Sequence, residues 1–165
     1  MKKYQKIELN KLLISALIKM YFKILIPSLV FSFVMVIVIN FNIFSINEFS
    51  PAQKNNINTL SALIIAPIIE TLIMSFAIKL LSEKINSEIK ISFIIGLISS
   101  VIHGIQNFTS LLSAGWSFYM FSIFFIEIQK KTNYWTAYIF SFLLHFLINL
   151  TAIIFFKLVT KIPGA

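Results

Sequence analysis

Five long apolar runs, separated by short polar stretches, make up most of this 165-residue sequence. Only 12% of the residues are charged, about half the share found in an ordinary soluble domain, and the mean hydropathy is +0.90. So few polar side chains cannot cover a globule in water. Because about 20 consecutive apolar residues suffice for a helix to cross a bilayer, the sequence predicts an all-α membrane protein with about five transmembrane helices.

The boundaries of these helices follow from the polar stretches between the runs. We predict spans at about Ile24 to Phe44, Thr59 to Leu81, Ile91 to Leu112, Trp116 to Ile128 and Tyr134 to Phe156. A break at Ser113 to Gly115 separates the third span from the fourth, which is short. If the fourth segment is re-entrant rather than spanning, the orientation of the fifth reverses.

The first 23 residues have a different pattern from the rest. Their apolar side chains recur at helical spacing, whereas Lys11 and Lys19 lie off that stripe; the stripe consists of Leu9, Leu12, Leu13, Ala16, Leu17, Met20 and Tyr21. A basic amphipathic helix of this kind is typical of a segment lying on the membrane surface. We therefore expect an interfacial helix over residues 1–23, followed by one polytopic membrane domain over residues 24–165.

The lysines indicate how the helices are oriented. With the N-terminus in the cytoplasm, eleven lysines lie in cytoplasmic segments, and only Lys54, Lys157 and Lys161 lie outside. This asymmetry follows the positive-inside rule. The net charge of +8 is therefore topological information and not a nucleic-acid-binding signal. The absence of cysteine excludes disulfides, thiolate metal sites and cysteine nucleophiles.

Three ionisable residues lie inside the predicted spans. Glu70, His103 and His145 come from the second, third and fifth spans, each eleven or twelve residues from the cytoplasmic end. At 1.5 Å per residue they lie roughly 17 Å deep, and Asn149 follows one turn after His145 on the same face. An ionisable side chain in lipid costs on the order of 2.5–3.5 kcal/mol. We therefore expect the three to face one another across a small polar cavity.

Two further features favour such a cavity. Pro67 removes one backbone hydrogen bond in the turn before Glu70. Small residues recur every fourth position on the third span, which allows close helix approach; they are Ser92, Gly96, Ser100 and Gly104. Each feature also has a structural reading, because an intramembrane Glu or His often only joins helices by a hydrogen bond.

The segments "APIIET", "SSVIHG" and "HFLIN", in this order on three predicted helices, resemble the CPBP family of intramembrane proteases. That family includes the CAAX prenyl proteases and bacterial Abi-type or bacteriocin-immunity proteins. Its pattern is Glu-Glu-x-x-x-Arg, then Phe-x-x-x-His, then His-x-x-x-Asn or His-x-x-x-Asp. The resemblance covers about residues 60–150.

The resemblance implies a glutamate-type peptidase. Glu70 would activate a water held between it and His103, while His145 and Asn149 would stabilise the oxyanion formed on a peptide carbonyl. The implied substrate is a membrane-associated peptide or protein, and no cofactor is required. The bacteriocin-related members suggest a role in processing or self-immunity.

The sequence departs from the family pattern at three supporting positions. Thr71 replaces the second Glu, Ser75 replaces the Arg, and Ser99 replaces the Phe. These changes leave room for a divergent or inactive member of the family.

Other functions therefore stay open. Glu70, His103 and His145 are a set of side chains that can hold zinc, with water in the fourth position. The chain can also be a non-catalytic membrane interaction or immunity protein that keeps the fold, or a small proton-coupled transporter. The substrate and the oligomeric state are not readable from the sequence.

Overall fold

The computed structural model describes residues 3–40 and 59–159, and their side chains over 7–38 and 59–155. Five helices lie in these ranges: α1 (Lys3–Asn40), α2 (Ala66–Ser82), α3 (Glu88–Gln106), α4 (Leu111–Lys131) and α5 (Tyr134–Val159). A π-helical turn, Ser61–Ile65, leads into α2, and a 3-10 turn, Phe108–Ser110, joins α3 to α4. All five helices are long and apolar enough to cross a membrane, and the described residues contain no strand. The predicted all-α membrane fold is confirmed.

The N-terminal helix is present, but it is continuous with the first span. α1 runs through 38 residues without a break at residues 23 and 24, a length of about 57 Å. Its apolar stripe packs on the other helices, since Leu13, Met20 and Ile24 are buried in the common core. The interfacial position of residues 1–23 stays a prediction, and the predicted end of the first span, residues 41–44, lies outside the described residues.

Contacts along α1 place its middle at the end of the bundle where α4 begins. The indole of Trp116 donates a hydrogen bond to the carbonyl of Lys23 (3.1 Å), and the hydroxyls of Ser28 and Ser117 are 3.0 Å apart. Residues 7–25 therefore run alongside α4 and α5 toward the opposite end. The part of α1 that packs in the bundle thus begins well before the predicted span at Ile24.

The break between α3 and α4 lies earlier than predicted. It falls at Asn107, whose extended backbone ends α3 and whose Oδ1 accepts hydrogen bonds from the amide and hydroxyl of Thr109. Ser110 donates its hydroxyl to the carbonyls of His103 and Asn107. The predicted break at Ser113 to Gly115 is wrong, because local side-chain to backbone bonds end the helix at Asn107 instead. α4 gains that length, and its 24-residue apolar segment is long enough to span.

The closest helix pair is α3 and α4, as the small-residue stripe predicts. A Cβ built on Gly96 would lie 2.8 Å from the carbonyl oxygen of Gly115, and the Ser100 hydroxyl donates to the carbonyl of Leu111 at 2.7 Å. Beyond this contact, α4 fills the bundle centre with four buried phenylalanines: Phe118, Phe121, Phe124 and Phe125. α4 is therefore the central helix on which the site rests.

Candidate functional site

Glu70 and His145 meet between α2 and α5. The Oε2 atom of Glu70 lies 3.4 Å from Nε2 of His145, and their side chains are 30% and 6% exposed. The predicted pairing of a carboxylate with an imidazole from another helix is therefore found. The imidazole is therefore buried, whereas the carboxylate side chain is partly exposed at the surface of the bundle.

His103 contacts the same phenylalanine ring as His145. The centroid of the Phe118 ring is 5.5 Å from that of His103 and 5.5 Å from that of His145. The structure gives no ion pair or hydrogen bond between the His103 ring and Glu70 within the described part of the chain. Phe118 thus joins the two histidines by packing, and the prediction that all three ionisable residues face one cavity stays a prediction.

His103 lies near the end of α3. It is in the last turn of that helix, next to the 3-10 turn that leads into α4. Glu70 lies in the second turn of α2, and His145 lies near the middle of α5. Both imidazoles contact the ring of Phe118, and the equal depth of the three residues, counted from the cytoplasmic ends of their spans, stays a prediction.

Aromatic rings occupy the volume in which a polar cavity was expected. The ring centroids of Phe121 and His145 are 4.8 Å apart, with an angle of 34° between the ring planes. Phe118 packs edge-on against the same imidazole, with an interplanar angle of 85°. The sequence analysis missed both rings. Their spacing of three residues on a phenylalanine-rich helix is a visible signal of one shared face, but it does not reveal which side chains that face contacts.

Asn149 contacts the backbone that leads into Glu70. Its Nδ2 donates a hydrogen bond of 3.0 Å to the carbonyl of Ala62, which lies in the π-helical turn before α2. A π-helical turn alters the regular backbone bonding of a helix, and such turns are frequent at functional sites. Asn149 therefore holds the backbone segment that precedes Glu70, and it also lies one turn from His145.

Four polar contacts follow one another along the interface of α2 and α5, which we call the α2–α5 seam. In two of them a side chain bonds to a backbone carbonyl: Asn149 to Ala62, and Tyr138 to Ile68 (3.1 Å). In the other two, side chains meet: His145 and Glu70, and Tyr134 and Ser75 (2.8 Å). Three of the contacts follow the order that an antiparallel pair requires, since positions 62, 70 and 75 meet 149, 145 and 134. The Tyr138 side chain departs from this order, because it reaches back to the carbonyl of Ile68. Inside lipid, such bonds replace the water that would otherwise satisfy these groups.

Two departures from the family pattern lie on the buried side of α2. Ser75 is fully buried and bonded to the Tyr134 hydroxyl, and Thr71 is 2% exposed. Ser99, on α3, is half-buried. An Arg side chain at position 75 would have to occupy the small buried space that Ser75 shares with the Tyr134 hydroxyl.

The sequence leaves open a zinc site formed by Glu70, His103 and His145. Among residues 7–38 and 59–155, no group of three His, Asp or Glu side chains is placed to hold a metal ion. Glu70 and His145 are in contact, and His103 packs on the Phe118 ring. The zinc alternative stays a prediction.

Three buried polar atoms have no hydrogen-bond partner among the described residues. They are Oγ of Ser92, Oγ of Ser141 and Nδ1 of His145. Two of the three, Ser141 and His145, lie on α5 one helical turn apart. Buried polar atoms normally have partners, so these two atoms require an explanation.

Comparison of the chain with known protein families, with curated proteins and with solved structures finds no match. The motif resemblance therefore remains a prediction from the residues, and the geometry of the α2–α5 seam has to be interpreted on its own chemistry.

Proposed function

We propose that this chain is an intramembrane peptidase of the CPBP type in which Glu70 activates water. The observation that supports the proposal is the contact between the Glu70 carboxylate and the His145 imidazole, on two helices long enough to cross a membrane. Neither residue has another charged partner among the described side chains. A carboxylate kept inside an apolar bundle and oriented by an imidazole suits general-base catalysis.

The reaction would proceed by addition and elimination at a peptide carbonyl. Glu70 takes a proton from water, and the hydroxide oxygen forms a bond to the carbonyl carbon. The oxyanion collapses, the carbon–nitrogen bond breaks, and the proton held by Glu70 passes to the leaving amine. Burial of His145 keeps its ring fixed during these steps, so that the ring needs little reorganisation as charge develops.

Asn149 and His103 have narrower roles in this proposal. The Asn149 amide uses one N–H on the carbonyl of Ala62, and the second N–H is the one assigned to the oxyanion. His103 packs on the Phe118 ring, and the structure gives it no hydrogen bond or ion pair with Glu70 within the described residues. We therefore assign the base to Glu70 and treat His103 as secondary.

The location of the reaction follows from the same apolar helices. We place the protein in a bacterial cell membrane as a multi-pass protein with a cytoplasmic N-terminus, on the strength of its lysine distribution. The substrate is a membrane-associated peptide or protein. No cofactor is required by this chemistry.

The proposal is tested by comparing cleavage products between variants in one host. Wild type, Glu70→Gln and the matched control Glu127→Gln are produced at equal levels, and new protein N-termini in the membrane fraction are quantified by mass spectrometry. Glu127 is an exposed glutamate of α4 without a role in the site. We expect N-termini that occur with wild type and Glu127→Gln and are lost with Glu70→Gln; identical sets in all three contradict the proposal.

The metal alternative is separated in the same system. Purified protein that cleaves a product-derived peptide is dialysed against a chelator and assayed again. Unchanged cleavage supports the metal-free mechanism, whereas loss that zinc restores supports a metal at Glu70, His103 and His145.

A second candidate is a membrane interaction or immunity protein without catalysis. It is favoured by the contacts of the motif residues, because Asn149, Ser75 and both histidines each contact another group of the same chain. In that case the α2–α5 seam only holds helices together. Glu70→Gln, which keeps an acceptor for the imidazole, would then leave the cellular phenotype unchanged.

A further inference from the structure

Two side chains of α5, one helical turn apart, are buried and carry an unpartnered polar atom. Ser141 is 1% exposed and His145 is 5% exposed, and Oγ of the first and Nδ1 of the second have no partner among the described residues. The sequence analysis gave Ser141 no role. Because His145 also contacts Glu70, the protonation and orientation of its ring bear on that contact.

The contact with Glu70 decides what Nδ1 requires. An ionised carboxylate only accepts hydrogen bonds, so the Nε2 atom that faces Glu70 carries the ring proton. In the neutral imidazole, Nδ1 is then a lone-pair acceptor that needs a donor. The rings of Phe118 and Phe121, which pack on the imidazole, supply none.

Ser141 lies one turn before His145, and although no hydrogen bond joins the two side chains in this structure, rotation of the serine side chain about χ1 can direct its hydroxyl toward the ring. Residues four apart on a helix lie on one face with Cβ atoms about 5–6 Å apart, and a long side chain leans back over the residue one turn before it. We propose that Ser141 is a positioning residue whose hydroxyl donates to Nδ1 of His145, fixing the tautomer that directs Nε2–H at Glu70. Without this hydroxyl the ring proton can move to Nδ1, and a lone pair then faces the carboxylate.

The test uses the fact that the chain contains only two histidines. Protein labelled with ¹⁵N-histidine and reconstituted in bilayers gives one pair of ring signals for each, and His103→Gln assigns them. Spectra are recorded for wild type, for Ser141→Ala, which removes the hydroxyl, and for Ser141→Thr, which keeps it. Ser92→Ala is the matched control, because Ser92 is an equally buried serine with an unpartnered hydroxyl on α3.

We expect wild type to show an unprotonated, hydrogen-bonded Nδ1 and a protonated Nε2 for His145. Ser141→Ala shifts the Nδ1 signal toward an imine nitrogen without a hydrogen bond, or mixes the two tautomers. Ser141→Thr restores the wild-type signals, and Ser92→Ala leaves them unchanged. The proposal is overturned if the His145 signals are the same in wild type and Ser141→Ala. Identical signals are expected if the Ser141 hydroxyl bonds to the carbonyl of residue 137 instead.

A second readout rests on the proposed function. Loss of one orienting hydrogen bond of about 1 kcal/mol slows cleavage about fivefold, and Ser141→Thr recovers the rate. If wild type cleaves nothing, the proposed function fails while the ring signals still decide the role of Ser141. If wild type cleaves and Ser141→Ala cleaves at the same rate with unchanged ring signals, the role of Ser141 alone fails.

Discussion

Replacement of Gly96 by alanine tests whether the position of α4 is set by close contact with α3. A Cβ at position 96 would lie 2.8 Å from the carbonyl oxygen of Gly115 and 3.0 Å from Cβ of Tyr119. Neither atom moves without the backbone of α4. Ordinary contact begins near 3.4 Å, so the two helices must separate by roughly half an ångström in a close-packed interface.

Gly104 supplies a matched control on the same helix. A Cβ there also meets an atom at 2.8 Å, but that atom is Cδ1 of Leu111, the end of a flexible side chain. Both substitutions change helix propensity in the same way, so that contribution cancels in the comparison. Overpacking that moves a backbone costs about 1–3 kcal/mol, and we expect Gly96→Ala to be less stable than Gly104→Ala by about that amount.

The assay is reversible unfolding by sodium dodecyl sulfate in mixed micelles, followed by far-UV circular dichroism. A shift of α4 also moves Phe118, which lies three residues after Gly115 and packs on both imidazoles. The ring signals of His103 and His145 should therefore change in Gly96→Ala. Equal stability of the two variants, with unchanged imidazole signals in both, would refute the close contact between α3 and α4.

Further predictions concern the α2–α5 seam and the topology. Asn149→Leu removes the bond to the Ala62 carbonyl and should lower stability by about 0.6–1.7 kcal/mol, the range for such bonds in membranes, as the same unfolding assay measures; no loss would mean that the bond does not form. Ser75→Arg, which introduces the Arg of the CPBP pattern, should abolish folding because it buries a charge without a partner, and a well-folded variant in size-exclusion chromatography would contradict this. Tyr134→Phe should cost about 1 kcal/mol by leaving the Ser75 hydroxyl with one bond fewer, whereas an unchanged midpoint would show that bond to be dispensable. Because the chain has no cysteine, a single cysteine introduced at Asn86 should react with an impermeant thiol reagent only in inside-out vesicles. Labelling in intact cells would show that the predicted orientation of the helices is reversed.

Several features of the site were predictable because they depend on local pattern. The cost of burying Glu70 and His145 in lipid predicted that they would find each other, and they do. The small-residue stripe through Gly96 predicted a tight helix partner, and α4 fills that place. Both inferences need only the types of residue and their helical spacing.

Other features were not predictable for an equally physical reason. The end of α3 at Asn107 depends on hydrogen bonds from Thr109 and Ser110 that compete with the helix, and apolar periodicity alone does not register them. The predicted third span therefore extends six residues past the end of α3, and the predicted start of α4 at Trp116 lies after its actual start at Leu111. The position of Phe118 against both imidazoles depends on how α4 is rotated, which no pattern within α4 specifies.

Hydropathy and charge, read along the chain, determined that this protein is a bundle of apolar helices and that its few polar groups must find one another. Those conclusions follow from the solvent, because lipid penalises every unpaired polar group wherever it lies in the sequence. The identity of the partners was decided only by the packed structure. His145 meets Glu70, Asn149 meets the Ala62 carbonyl, and His103 packs on Phe118, because the register and rotation of neighbouring helices arise from interlocking side chains of separate segments.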